Sequence, residues 1–490
     1  MNESVFHHWQ SIEDLTADDH LLASPELAAL NQVWNEQRSR LIEVNALQAF
    51  NERLRRQWAI ETGIIEHLYS LDRGVTETLI EHGVSASLIP HSAADRDPEL
   101  IVRMIHDHEE AIDWTFDFVK GDRQLSTAFI KELHALMTRH QDTAAGVDQF
   151  GKKITTPLLR GAFKTWPNNP TREDGGIHEY CPPEQVDSEM DRLVELHRKH
   201  LAEHVAPEVE AAWLHHRFTQ IHPFQDGNGR VVRALASLVL IRVGWFPLVI
   251  TRDDRQRYIQ SLERADVRDL RPLVNLVAAL QRRAFVQALS AVGTAIAQTE
   301  RLDQVIHSIR EEFAAKEKPP GQDEVKQMAD VVLGDARERM ESLAGRLDEE
   351  LGAVLSPVKF FVNWADDTDH RRDWHRFQII RTARALDYFA NTRDYAAWCR
   401  LVLQADSRAE ILLSLHGVGQ QFRGIIAASL SFFRREELED GTRQVTDITP
   451  VVDEVFQMNY REGEQSVRER FGDWLETGLL HALQMWRRGL

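Results

Sequence analysis

The sequence predicts a mainly α-helical protein with one β-hairpin in its first half and an α+β region at its C-terminal end. Three observations carry this expectation. From Pro25 to about Ser290 apolar residues mostly recur at three- and four-residue spacing, the period of a helix with one buried face. A single stretch, Gly151 to Pro183, breaks that pattern with β-branched and aromatic residues around turn-forming ones. From Ser356 onward, alternation replaces helical periodicity.

Taken in order, Pro25 to Tyr69 reads as helical through Leu27, Leu30, Val33, Trp34, Leu41 and Val44. Glu99 to His140 continues in helices with Ile101, Met104, Ile105, Ile112, Trp114, Phe118, Leu133 and Met137. The stretch 151–183 reads as a hairpin with a loop, its punctuation being an Asn-Asn-Pro turn and a Gly-Gly pair. Helices resume at Glu184 to His204 and Pro207 to Gln220. Arg301 to Lys318 reads as helical, and Lys318 to Gly321 is a break. Asp323 to Leu351 carries an a/d-like stripe, expected to form a helical hairpin, with a dimerisation arm as the alternative. "VKFFVNW" alternates as a strand, and two longer apolar runs flank a Gly-Val-Gly turn. A last amphipathic helix spans Ser466 to Arg488. Four regions follow: 1–98, helical; 99–298, the chemical core; 299–355, a helical hairpin or linker; and 356–490, α+β and of unknown role.

Composition narrows the function class. Of 490 residues 43% are hydrophobic and 28% charged, as in ordinary globular proteins. Fifty-eight Lys+Arg against seventy-seven Asp+Glu leave a net charge of −19, which argues against a general nucleic-acid or anionic-membrane binder. Two cysteines far apart, Cys181 and Cys399, form no disulfide framework and suit a reducing cytoplasm. The first twenty residues lack a basic segment followed by an apolar core, so no signal peptide is read there. The most apolar stretch, Val231 to Ile250, carries Arg233 and Arg242 and is broken by Gly244 and Pro247, against a membrane span.

The chemistry concentrates in "HPFQDGNGRVVR", His222 to Arg233. Gly227-Asn228-Gly229 ahead of an apolar periodic run suggests a tight turn at a helix start, where unpaired amides and the helix dipole make an anion seat. Arg230 and Arg233 lie about one turn apart and can grip successive phosphates. Asp226 makes sense as an oxygen ligand for Mg²⁺ bridging those phosphates. His222 titrates near neutrality and can take a proton from an attacking hydroxyl. Phe224 is expected to pack inward and anchor the loop. Together these parts describe a transferase acting on a nucleoside triphosphate.

The same residues resemble the signature of the Fic family, His-x-Phe-x-Asp/Glu-Gly-Asn-Gly-Arg-x-x-Arg, with every fixed position matched. The resemblance runs over roughly Glu99 to Ser290. It implies a helical core carrying one β-hairpin flap, and transfer of AMP from ATP to a Ser, Thr or Tyr hydroxyl of a target protein. By position it implies His222 as general base, Asp226 as the Mg²⁺ ligand, Gly227, Asn228, Gly229 and Arg230 on the α- and β-phosphates, and Arg233 on the γ-phosphate. Phe163, Lys164 and Thr165 are the flap candidates for pairing with a target peptide, and Tyr258 is a candidate adenine contact.

Many members of that family carry an inhibitory helix of pattern Ser/Thr-x-x-x-Glu-Gly/Asn. Thr62 to His67 fits it up to the last place, where His67 stands instead of Gly or Asn. A glutamate over Arg233 would occupy the γ-phosphate's seat. Glu66 is the expected brake, with Thr62 on the same face; Glu61 is the rival. The expectation is therefore a cytoplasmic, Mg²⁺-dependent protein adenylyltransferase restrained by its own N-terminal region. Competing readings are removal of AMP or transfer of another nucleotide-derived group, and a nucleotide-regulated binding protein acting through its C-terminal region. No zinc signature stands out: His197, His200, His204, His215 and His216 read as a partly charged, solvated helix face.

Overall fold

In the computed structural model, residues 5–38, 44–147, 153–170, 176–298, 321–352, 358–405, 408–420, 422–437 and 443–488 are described. The expected helix at 301–318 lies outside them. The helices are α1 (Ala17–His20), α2 (Pro25–Arg38), α3 (Val44–Ile65), α4 (Arg73–His82), α5 (Pro98–Lys120), α6 (Thr127–Met137), α7 (Val186–Ala202), α8 (Pro207–Ile221), α9 (Asn228–Arg242), α10 (Arg255–Asp266), α11 (Arg271–Gln298), α12 (Gln322–Leu351), α13 (Arg376–Ala385) and α14 (Glu464–Arg487). The strands are β1 (Val5–His7), β2 (Thr143–Val147), β3 (Lys153–Pro157), β4 (Ile177–His178), β5 (Lys359–Ala365), β6 (Ala390–Gln404), β7 (Arg408–Val418), β8 (Ile425–Glu437), β9 (Arg443–Pro450) and β10 (Phe456–Asn459).

The chain divides into two compact units, residues 1–25 with 49–281, and residues 26–48 with 282–490. This departs from the boundaries expected at 98 and 298. Helix α2 belongs with the second unit, and α11 runs across the division as one helix, its single proline, Pro272, being confined to the first turn, where no intrahelical bond is lost.

The first unit is helical. Its centre is α9, whose residues Val231 to Ile241 are all buried, so this helix is enclosed around its circumference and packs on α5, α6 and α8. Capping is local and conventional: Ser126 accepts from the Phe129 amide at the start of α6, and Asp97 from the Leu100 amide at the start of α5. The hairpin sits earlier than expected. It pairs β2 with β3 antiparallel, from Thr143 opposite Pro157 to Val147 opposite Lys153. Its first strand, Thr-Ala-Ala-Gly-Val, has small residues of low strand propensity, which hid it. The expected second half of the hairpin is instead the two-residue β4, which pairs in parallel with β1.

The second unit is built on an antiparallel sheet in the order β10-β8-β7-β6-β5, with β9 also on β8. Alternation sends Ala397, Cys399, Leu401, Ile411, Leu413 and Leu415 to one face, where α12 and α14 cover them. On the opposite face, α13 is preceded by His375, which meets Trp398 edge-on at 4.6 Å. Of the expected helical hairpin over 299–355, residues 299–320 and 353–355 lie outside those described, and the described part is α12, one continuous helix from Gln322 to Leu351. Its stripe of Val325, Met328, Val332, Ala336, Met340 and Leu343 is buried in the core between the sheet and α14. Met340→Ala empties a fully buried position and is expected to destabilise by about 2–5 kcal/mol, read as a lower denaturation midpoint.

Candidate active site

The loop between α8 and α9 is shaped by two left-handed residues. His222 closes α8 at φ 52°, its amide bonded to the Phe218 carbonyl, and Gly227 caps α9 at φ 83°. A histidine tolerates this region better than most side chains, at a cost of about 1–2 kcal/mol. The Asn228 side chain then clasps the loop shut. Its Oδ1 accepts from the Phe224 amide at 2.9 Å and its Nδ2 donates to the Phe224 carbonyl at 2.7 Å. The amide of Asn228 is thus spent inside the loop, so only its backbone is available to an anion, which narrows the phosphate-holding expectation for this residue.

Phe224 is fully buried, as expected, and stacks flat on His134 with ring centroids 3.8 Å apart. His134 fixes the loop further: the Gly161 amide donates to Nδ1 at 2.9 Å, so Nε2 carries the proton and donates to the Asp226 carbonyl at 2.9 Å. Asn168 adds a donor to the Phe224 carbonyl at 2.8 Å and accepts from Lys164 Nζ at 2.8 Å. Neither His134 nor Asn168 was singled out from the sequence.

His222 carries Nδ1 3.3 Å from the Thr219 carbonyl and stacks on Tyr180 at 3.9 Å with rings 6° apart. A carbonyl only accepts, so the proton sits on Nδ1 and Nε2 is left as the basic nitrogen. Burial, then the nearby Lys164 ammonium, pushes its pKa down to about 3. Lys164 itself is brought down to about 8 by burial. Asp226, half-exposed, accepts from Gln141 Nε2 at 2.7 Å and from the Gly227 amide at 2.5 Å.

Both arginines are buried. Arg230 donates to the Met137 carbonyl at 3.0 Å and to Gln141 Oε1 at 2.5 Å, while Arg233 donates from Nη1 to Glu66 Oε1 at 2.8 Å and from Nη2 to the Thr62 carbonyl at 3.2 Å. Burial works against the charge of Arg233, but Glu66 more than restores it, and its pKa stands above the ordinary value. A Cβ added at Gly229 would collide with the Glu66 carboxylate, so that carboxylate rests on the first turn of α9, at the anion seat. Thr62 takes part through its carbonyl.

Glu66 lies just past the end of α3, and His67 follows at φ 54°. That backbone explains a preference for Gly or Asn at this place: the position requires a left-handed residue, and histidine meets it. The ring of His67 turns toward Arg255 at 3.1 Å. Glu61, the rival, pairs instead with Arg252, accepting from its backbone amide at 2.9 Å and its guanidinium at 3.2 Å.

Three expectations are corrected. Phe163, Lys164 and Thr165 lie beyond the hairpin and on no strand. The Lys164 amide donates to the Pro223 carbonyl at 2.8 Å, so this segment braces the loop and cannot offer that amide to a peptide. Tyr258 is buried with its hydroxyl 3.0 Å from His215 Nε2, a packed residue rather than an open adenine platform. The histidine face is solvated only at His204: His197, His200, His215 and His216 are each at most 2% exposed, and His197 and His200 both bond Glu210 at 2.6 Å.

Burial holds several of these rings neutral, with His108, His215 and His222 brought down to about 3 and His134 to about 4. Their folded pKa values lie below the unfolded one near 6.5, so the folded state favours the neutral ring. That stability is fully present above pH ~6.5 and is lost as pH falls toward the folded values. A pH series of thermal midpoints is expected to decline steadily from pH ~7 to pH ~4.

Residues 124–240 match the Fic/DOC family. The protein adenylyltransferase fic-1 of Caenorhabditis briggsae is 26% identical over 233 residues, covering 46% of this chain and 39% of that protein. The protein adenylyltransferase Fic of Nematostella vectensis is 35% identical over 109 residues, 22% of this chain and 26% of that protein. A Fic domain containing signaling protein from Bacteroides thetaiotaomicron superposes with a TM-score of 0.44 at 23% identity, over 54% of this chain and 96% of that one. The chain spans less than half the length of the two curated relatives it matches here. Among the described residues no helix is long and apolar enough to cross a membrane. With the loop from His222 to Arg233 inside the matched segment, this chain carries a Fic/DOC family domain.

Proposed function

We propose that this protein transfers AMP from ATP to a side-chain hydroxyl of a target protein, and that Glu66 holds it at a low resting rate. One observation carries the reading: an anionic group, the Glu66 carboxylate, lies on the first turn of α9 in the grip of Arg233. A seat built for negative charge is thereby filled from within. The curated relatives' names, protein adenylyltransferase, support the same chemistry.

The substrate hydroxyl gives its proton to Nε2 of His222 while its oxygen attacks the α-phosphorus. The bond from that phosphorus to the bridging oxygen breaks, and pyrophosphate leaves. First-turn amides of α9 and the buried guanidiniums hold the phosphates in line for attack. Asp226 fits a Mg²⁺ ligand: a single half-exposed carboxylate at the edge of a phosphate seat suits an ion that keeps several waters and takes its other ligands from the nucleotide. When bound, Mg²⁺ would neutralise phosphate charge. A cytoplasmic site of action is part of this reading.

Intact mass after incubation with Mg²⁺-ATP tests it, with wild type, Glu66→Gly and Glu66→Gly/His222→Ala compared alone and with candidate target proteins. AMP adducts on protein, strongest with Glu66→Gly and gone in the double variant, are expected. Absence of any adduct while ATP binds overturns the transfer, and release of AMP from a modified protein would favour the reverse reaction.

A further inference from the structure

The parallel pairing of β1 with β4 sets His7 beside His178 in register, and their imidazoles stack with centroids 4.4 Å apart and planes 17° apart. Asp266, the last residue of α10, turns its Oδ2 toward His178 Nδ1 at 3.9 Å. Its other oxygen, Oδ1, is held by His216 Nε2 at 3.0 Å. The Nε2 atom of His7 is buried without a hydrogen-bond partner. One ligand atom from each of His7, His178 and Asp266 lies within 4.8 Å of the others, and all three residues are half-buried.

We propose that His7, His178 and Asp266 bind a divalent transition-metal ion of the zinc class, separate from the Mg²⁺ implied at Asp226. Two imidazole nitrogens and one carboxylate oxygen are the donor set that borderline-soft ions prefer over Mg²⁺. Three protein ligands leave a fourth position for water. The His216–Asp266 bond supplies what such sites need around them, a hydrogen bond that fixes the carboxylate and leaves Oδ2 turned inward. A tetrahedral ion asks for donor separations of about 3.4 Å, so the ligands close by about 1 Å and the stacked rings splay. The movable partner is β1, a strand of three residues paired along one edge only. Binding there would fasten the N-terminal strand to the segment that carries Tyr180, whose ring lies against both His178 and the candidate base His222.

The test uses the full chain, stripped by chelator and titrated calorimetrically with Zn²⁺, then with Co²⁺ to read the visible absorption of a tetrahedral ion. Wild type is expected to take one Zn²⁺ per chain at this site and to gain thermal stability from it. His7→Gln, on a short edge strand and so safe for folding, is expected to weaken binding about a hundredfold, and His216→Ala about tenfold. Asp226→Asn is expected to bind as wild type does, which separates this site from the nucleotide chemistry. No Zn²⁺ uptake by wild type, or unchanged affinity and stoichiometry in His7→Gln, overturns the proposal. So does loss of binding in Asp226→Asn alone. None of these outcomes depends on whether the protein transfers AMP.

Discussion

His222→Ala, made in a Glu66→Gly background, lowers the rate of AMP transfer by about a hundred- to ten-thousand-fold, measured as incorporation of α-phosphate label from ATP. The size follows from what the ring does and what remains without it. The Thr219 carbonyl directs the proton to Nδ1, and Tyr180 holds the imidazole plane, so one nitrogen faces the hydroxyl. Removing the ring leaves the phosphate seat on α9 intact, so nucleotide affinity stays within a few-fold while turnover collapses. Because burial and Lys164 keep this ring neutral down to about pH 3 before substrates arrive, kcat/KM shows no acid limb from His222 near pH 6.5. An equal fall in nucleotide affinity would contradict the role of base.

The second large effect has the opposite sign. Glu66→Gly raises the transfer rate by roughly ten- to a hundredfold, since a charge-assisted hydrogen bond to Arg233 is worth about 1.5–3 kcal/mol and its loss frees the guanidinium for phosphate. Nucleotide binding should tighten in step, because the carboxylate no longer rests at Gly229. The Thr62 carbonyl keeps its contact to Arg233 in this variant, so the arginine stays oriented. Steady-state rates at saturating ATP for wild type and variant check this; equal rates would remove the brake from the account. Glu61→Gln, by contrast, breaks the pairing with Arg252 and is expected to lower stability without raising the rate.

The loop was legible because its chemistry is written in consecutive residues. Turn glycines, a clasping asparagine and two arginines at one-turn spacing all fall within twelve positions. Its supports were not legible. His134 meets Asp226 across 92 residues of sequence, and nothing in its own neighbourhood sets it apart from any helix histidine. Histidine is also the residue whose burial periodicity reveals least. His197 and His200 read as solvated because Glu210, the carboxylate that lets them be buried, comes from the next helix. The stripe on α12 announced a helix correctly but not its partner, since a sheet and a second helix ask the same spacing of it. The place of Glu66 followed from a pattern, whereas the reason His67 is tolerated needed its backbone angle.

The large sheet and the pair of β1 with β4 differ in how far the chain must travel to complete them. In the sheet, β5, β6, β7 and β8 each pair with the next strand in sequence, so most of its pairings are local. Strand β1 is the reverse case: helices α1 to α6 lie between it and β4 in the chain, and His8 reaches Glu179 across 171 residues. Closing so long a loop for a pairing of so few residues gives little in return until the rest is in place. The N-terminal strand is therefore expected to dock late and detach early, with its amides exchanging with solvent ahead of those in β7 in a hydrogen-exchange series. Anything that secures it acts late in folding, on a finished scaffold.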